Sequence, residues 1–258
     1  MKFANCYEDV SRAEAYAELE FPGTYYLAYR DIPQIIATHV KGQRALDFGC
    51  GTGRSTRFVQ NLGFQTTGVD ISAKMLAKAQ DCDTASDYQL INPGDLSGFP
   101  DKSFDLITAV FTFDNIPGPE QKLQNLKALS CLLKPNGKLI NLVSAPHIYW
   151  HEWASFSTRA FPENKNAKCG DKVKIIMTDV KDKRPVEDIL WPARAYRKLY
   201  GKAGLCVEQV YHPLGLPTEP FQWKSELKLS PWCIYVLKKS APWSYSFASI
   251  PANYWHRL

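Results

Sequence analysis

Short apolar runs alternate with amphipathic stretches through the middle of this chain, and clusters of glycine, proline and polar residues separate them. Ala45, Leu46 and Phe48 read as a buried strand that runs into Gly49, Gly51 and Gly53, and a polar helix from Arg54 to Asn61 follows at once. A second apolar strand ends at Val69 and Asp70. Ser72 is placed to cap a helix through Gln80 with Met75 and Leu76 inward. Tyr88 to Ile91 is a short strand, and the loop PGDLSGFP behind it carries Asp95 and Leu96. Phe104 to Phe111 is apolar enough to be buried on both faces. Pro119 to Leu133 places Leu123, Leu126, Leu129 and Leu133 on one helical stripe, and Gly137 to Ser144 is the fifth strand. Strands alternating with helices imply right-handed crossovers and a doubly wound, mostly parallel α/β sheet covered on both faces. A ligand crevice then lies beyond the strands' carboxyl ends.

Two regions fall outside that repeat. Residues 1–31 carry Tyr7, Tyr16, Tyr25, Tyr26, Tyr29 and Arg30, and are predicted to be a helical lid folded across the crevice. Residues 146–192 are too long for an ordinary connection, and hold two predicted strands, Val173 to Val180 and Pro185 to Leu190, separated by KDKR. This is a hairpin insertion after the fifth strand. A helix from Ala193 to Lys202 and an antiparallel pair, Leu205 to Tyr211 with Trp232 to Leu237, bring the sheet to seven strands within residues 193–240. An aromatic tail, 241–258, is expected to pack on the domain. Residues 1–258 thus read as one domain, with 42–145 as its ligand-binding half and 146–192 as a cap.

Composition narrows the class. The seven cysteines, at positions 6, 50, 82, 131, 169, 206 and 233, form no CxxC pair, and several sit in apolar runs where a reduced thiol packs as a small hydrophobe. That favours a reducing cytoplasm. The first residues, MKFANCYEDV, have no apolar leader core, and no stretch approaches the ~18 consecutive apolar residues of a membrane span. A formal charge of +5 without a dominant Lys/Arg block argues against nucleic acid as the partner.

The chemistry begins at ALDFGCGTGRSTRFVQ followed by TTGVDIS. A strand, a glycine turn and a helix start leave backbone N–H groups pointing at a ligand, and Asp70 would emerge beside the same crevice to accept both hydroxyls of a ribose. In the dinucleotide fingerprint the last glycine stands beyond Gly53, where Arg54 is found here, and an Asp leads into the turn as Asp47-Phe48-Gly49; both departures point away from NAD. LDFGCGTG, the acid ending the next strand and LKPNGKLI from Leu133 resemble the class I S-adenosylmethionine-dependent methyltransferases. The resemblance is close over residues 42–145 and implies S-adenosyl-L-methionine as cofactor. It further implies that Asp47, Gly49, Gly51 and Gly53 surround the methionine part, Asp70 the ribose, and Ile71, Asp95 and Leu96 the adenine. Phe111, Tyr26 and Arg30 complete the expected cofactor neighbours.

The methyl acceptor leaves fewer traces. Thr112-Phe113-Asp114-Asn115-Ile116-Pro117 is not the (Asn/Asp)-Pro-Pro-aromatic motif of base and glutamine amino-group methylation, since Ile116 replaces its first proline. Asp114 reads equally as a base and as a turn residue. In APHIYWHEWASF a helix would put His147 and His151 on one face, either as acceptor-orienting groups or a base or as histidines packed among the aromatic side chains; a metal is not expected, because no Glu follows the first His as zincin chemistry requires. The hairpin is net positive, with Arg159, Lys165, Lys168, Lys172, Lys174, Lys181, Lys183 and Arg184 against Glu163, Asp171, Asp179 and Asp182. A solvated face explains such a run, and so does an anionic acceptor. The reading is O-methylation of a small molecule or short peptide, with a carboxylate acceptor favoured because it needs alignment and no base. N-methylation of an amine is the alternative, and a catalytically silent S-adenosylmethionine-binding partner protein the reading from another class.

Overall fold

The computed structural model describes residues 22–240, so the first 21 residues of the expected lid and the aromatic tail lie outside the described residues. A seven-stranded sheet organises the rest. Its strands are β1 (Arg44–Phe48), β2 (Gln65–Asp70), β3 (Asp87–Leu90), β4 (Phe104–Val110), β5 (Leu133–Ser144), β9 (Leu205–Tyr211) and β10 (Trp232–Lys239), in the order β3-β2-β1-β4-β5-β10-β9. All pairings are parallel up to β5, and β10 is antiparallel to both its neighbours. The order reverses between β1 and β4, and that switch point is where a doubly wound sheet leaves a crevice.

Alternation along each central strand divides the core in two. Ala45, Leu106, Ile140 and Ile234 face one side, where α1 (Thr24–Tyr29), α2 (Ile32–His39) and α3 (Arg54–Asn61) cover them. Leu46, Ile107, Leu139 and Tyr235 face the other, against α6 (Pro119–Leu132) and α7 (Ala193–Lys202). The remaining helices are α4 (Ala73–Cys82), capped by the Ser72 hydroxyl at Met75 N, and the single turn α5 (Thr112–Asn115). α6 ends one residue earlier than its leucine stripe predicts: β5 already begins at Leu133, which pairs with Phe104.

The cap is a sheet of its own. β7 (Lys172–Met177) and β8 (Val186–Ile189) form the predicted hairpin, shorter toward its turn, and the two-residue β6 (Phe156–Ser157) adds a third strand. APHIYWHEWASF does not form an α-helix; Pro146–Trp150 is a 3-10 turn that leaves His151 beyond its end. Among the described residues the lid is latched to the cap. Thr24 N–H donates to Ser155 Oγ (2.8 Å), Ser155 N–H to Thr24 Oγ1 (3.0 Å), and Trp232 Nε1 to the Thr24 carbonyl (2.9 Å). The fully buried Glu226 accepts from Thr24 Oγ1 and Ala154 N.

Candidate functional site

The glycine turn between β1 and α3 is positioned by groups that do not themselves face the crevice. Asp47 is fully buried beneath it and accepts from Ser55 Oγ (2.6 Å), Thr56 Oγ1 (2.8 Å) and Thr108 Oγ1 (2.8 Å). Burial pushes its carboxyl up and the three hydroxyls oppose this. Asp47 is therefore a brace for the turn, where the sequence suggests a ligand contact. Gly49 sits at φ 73° with Thr112 so close that a Cβ would lie 2.3 Å from Thr112 Cγ2. Gly53, at φ 77°, starts α3 against the Tyr88 hydroxyl, and no side chain fits there. It is a packing glycine outside the crevice.

The crevice itself opens over the ends of β1, β2 and β4. Gly49, Gly51, Asp70, Ile71 and Phe111 line it as expected. The N–H groups of Gly49 and Gly51 are committed elsewhere, to the Val69 carbonyl (2.8 Å) and to Asp70 Oδ2 (2.8 Å). What the glycines supply is closeness of approach rather than free donors. Asp70 Oδ1 accepts from Ser72 N (2.9 Å), so both carboxylate oxygens are fixed by backbone at the rim. Burial raises its carboxyl, and the N–H bonds of Ser72 and Gly51 counter this.

Residues that sequence reasoning misses complete the lining. Tyr29 and Arg54 close one end, the arginine stacking over the Tyr25 and Tyr29 rings at 5.2 and 5.5 Å. Pro93, Gly94, Gln121, Gln124 and Asn125 form the other. Asn125 Oδ1 is buried there without a hydrogen-bond partner, an acceptor suited to the exocyclic amine of an adenine. A buried acceptor left unpaired in a crevice wall fits a bound nucleoside.

Several expected contacts lie elsewhere. Asp95 is exposed on the far side of its loop, tied to Ser97 N and Oγ (3.0 and 2.6 Å), and Leu96 is buried in the core. Tyr26 packs on Phe221 at 5.0 Å, while Arg30 pairs with Asp31 and Glu219 (2.7 and 2.8 Å). His147 donates from Nε2 to the Ser230 carbonyl (2.6 Å) and packs near Trp153, with the His151 ring 6.4 Å away. Neither histidine lines the crevice or the chamber described next.

Asp114 opens onto a second, smaller chamber between β5, β10, α1 and the cap. Phe111 and Asn115 line both spaces and form the partition between them. Phe111 holds φ 60°, an uncommon value for a residue with a side chain. Asp114 Oδ2 accepts from Ser144 N (2.8 Å), and Asp188 of β8 accepts from the Tyr149 hydroxyl (2.9 Å). The two acids are 4% and 8% exposed. Burial pushes both carboxyls up, and the charge of Asp188 pushes Asp114 further. Lys122, buried and lowered by that burial, donates to the Phe113 carbonyl and stands 5.2 Å from the Trp191 ring centroid. The arrangement puts a paired acid where a proton could be taken from a small bound molecule.

Comparison with known proteins places the fold and its central half. Residues 46–141 match the family model described as methyltransferase domain. Demethylmenaquinone methyltransferase of Tropheryma whipplei is 42% identical over 106 residues, which cover 38% of this chain and 41% of that protein. Ubiquinone biosynthesis O-methyltransferase of Chromobacterium violaceum is 30% identical over 133 residues, covering 50% and 48%. The chain thus spans less than half the length of these relatives. Among solved structures, an S-adenosylmethionine-dependent methyltransferase from Clostridium acetobutylicum superposes with a TM-score of 0.60 at 16% identity, over 92% of this chain and all of that one. One from Mesorhizobium loti gives 0.59 at 19% identity, over 82% and 98%.

Proposed function

We propose that this chain, whose residues 46–141 match the methyltransferase domain family, is a class I S-adenosylmethionine-dependent methyltransferase that transfers the sulfonium methyl group to a small molecule held in the inner chamber. One observation carries this reading: the crevice and the chamber share the wall formed by Phe111 and Asn115. A sulfonium methyl at that wall would face an acceptor on its other side, and alignment of two bound reactants supplies most of the acceleration such a displacement needs. Asp70 would hold the ribose, Asn125 and the Pro93-Gly94 loop the adenine, and Tyr29 with Arg54 the amino-acid end. α1 and the cap would exclude water from the reacting atoms.

The basic hairpin lends a carboxylate acceptor no support. Lys172 and Lys174 pair with the exposed Glu187, and Arg184 with the half-buried Asp182, and none of them lines the chamber. The chamber instead presents Asp114 and Asp188, which would repel an anion. An acceptor that gives up a proton fits better, and Asp114 is placed to take it, from a hydroxyl for an O-methyl product or from an amine for an N-methyl one. Asp114, with its carboxyl raised toward neutrality, is matched to that task.

Thermal melting with S-adenosylhomocysteine and with NAD, followed by methyl transfer from labelled S-adenosylmethionine to small acceptors, tests the proposal. S-adenosylhomocysteine should raise the melting temperature and NAD should not, because a ligand of the native state stabilises it by mass action. Stabilisation by NAD alone would refute it. Binding without turnover over a broad set of acceptors would favour a silent partner protein.

A further inference from the structure

The acid pair in the inner chamber points to one class of acceptor. We propose, resting on the methyltransferase reading above, that the chamber takes a small protonated amine, which Asp114 and Asp188 hold as an ammonium and from which Asp114 removes the proton before methylation.

Charge decides between an amine and an alcohol. Asp114 and Asp188 bring two negative charges to a buried wall, and Lys122 returns one positive charge from behind, its ammonium turned to the Phe113 carbonyl and absent from the chamber lining. One negative charge is left over when both acids ionise. An ammonium neutralises it, whereas an alcohol leaves two carboxylates repelling each other where water screens them poorly. Hydrogen bonding agrees. Asp114 and Asp188 each accept through Oδ2, from Ser144 N and the Tyr149 hydroxyl, and the Ser144 hydroxyl also lies beside Asp114. Those donors leave acceptor capacity on both carboxylates, and both acids line the cavity. The opposite walls are the rings of Tyr25, Phe111, Phe156 and Trp232, with neighbouring centroids 4.7 to 6.0 Å apart. Carboxylates on one side and π faces on the other are how proteins enclose an organic cation.

The chemistry balances without any other reactant. The ammonium R–NH3+ gives a proton to the Asp114 carboxylate and becomes R–NH2. Its lone pair then forms the nitrogen–carbon bond to the methyl group as the carbon–sulfur bond breaks, and that electron pair stays on sulfur. The product leaves as R–NH2CH3+, and Asp114 returns its proton to solvent. Raised carboxyls narrow the gap to the amine, so the first proton transfer is less uphill than to an ordinary aspartate.

The test supplies the full chain with labelled S-adenosylmethionine and three matched probe series of equal carbon skeleton: primary amines, alcohols and carboxylic acids, aliphatic and benzylic. Label should enter the amines, with kcat/KM at least about tenfold above the matched alcohols. Asp188→Asn should erase most of that preference by raising KM for amines, while the melting shift caused by S-adenosylhomocysteine stays as in the parent. That shift also shows that the variant folds, and Asp188→Glu should restore part of the preference. Label in alcohols or acids at rates equal to or above the amines, or no labelled amine at all despite S-adenosylhomocysteine binding, would overturn the proposal and leave the cofactor reading standing. Loss of the melting shift in the parent protein would instead remove the methyltransferase reading beneath it.

Discussion

Asp70→Asn tests the cofactor site through a property that the structure makes quantitative. Both carboxylate oxygens are committed to backbone donors, Oδ2 to Gly51 N–H at 2.8 Å and Oδ1 to Ser72 N–H at 2.9 Å. An asparagine has one oxygen and one NH2, so it satisfies one of those donors and sets its own donor against the other. Losing a charge-assisted hydrogen bond costs about 1.5–3 kcal/mol. Relief of the buried charge, which already pushes the Asp70 carboxyl up, offsets part of this and leaves a net loss of about 1 kcal/mol, or ~2–4 °C in melting temperature for a chain of this size. Binding suffers separately, because the ribose hydroxyls meet a neutral amide in place of an anion. A further 1.5–3 kcal/mol there corresponds to roughly 10- to 150-fold weaker S-adenosylhomocysteine binding. Isothermal titration and melting on the same preparation read the two effects apart. An affinity within twofold of the parent, in a folded variant, would refute the assignment of Asp70 to the ribose.

Three further outcomes follow from the geometry. Gly49→Ala should abolish cofactor binding and lower stability by a few kcal/mol, since it combines φ 73° with a Cβ placed 2.3 Å from Thr112; equilibrium denaturation and titration check both. His147→Ala and His151→Ala should each leave kcat/KM within a few-fold of the parent and show no lost pH step, because neither ring lines the crevice or the chamber; a hundredfold loss in soluble, folded protein would contradict this placement. Glu208 is desolvated, which raises its carboxyl, yet Lys138, His39 and Lys238 outweigh this and hold it at about 2. Its folded pKa lies below the unfolded value near ~4.3, so the stabilisation is present above that pH and lost as pH falls toward 2. After solvent screening it amounts to about 1 kcal/mol, and the gap between parent and Glu208→Gln melting temperatures should close across that window.

The cofactor half is legible in the sequence because its determinants are local. A strand, a turn with positive φ at Gly49, Gly51 and Gly53, and an acid ending the next strand fix one another within about thirty residues, and Ser72 announces its helix by capping it. Sequence reasoning goes astray where helical phase or a loop decides direction. Residue type alone favours Tyr26 and Arg30 in α1, but Tyr25 and Tyr29, one residue earlier, face inward. Motif position favours Asp95, and its turn points it to Ser97 and solvent instead. The chamber is illegible as a unit because α5, β8 and the Pro146–Trp150 turn meet only in three dimensions. Signals for two of its acid–base groups do exist: Lys122 is in helical phase with Leu126 and Leu129, and Asp188 alternates with the buried Val186 and Leu190. A charged residue at a position that periodicity assigns to the core signals, by that mismatch alone, a buried polar site.

The small sheet β6-β7-β8 shares no hydrogen-bonded ladder with the large one. It meets the body through the latch at Thr24, through the chamber it roofs and through Val173, Ile175, Met177 and Val186, which pack into the core with Tyr25 and Trp232, and it shares no strand register with residues 46–141. Selection can therefore act on the two parts at different rates. The segment that matches the methyltransferase family carries the donor site, while Asp188, an acid facing the acceptor chamber, sits on a cap strand outside that match. Descendants of one ancestral scaffold would in this way come to serve chemically unrelated acceptors, and grafting a foreign hairpin between Ala145 and Trp191 is a direct route to retraining this one.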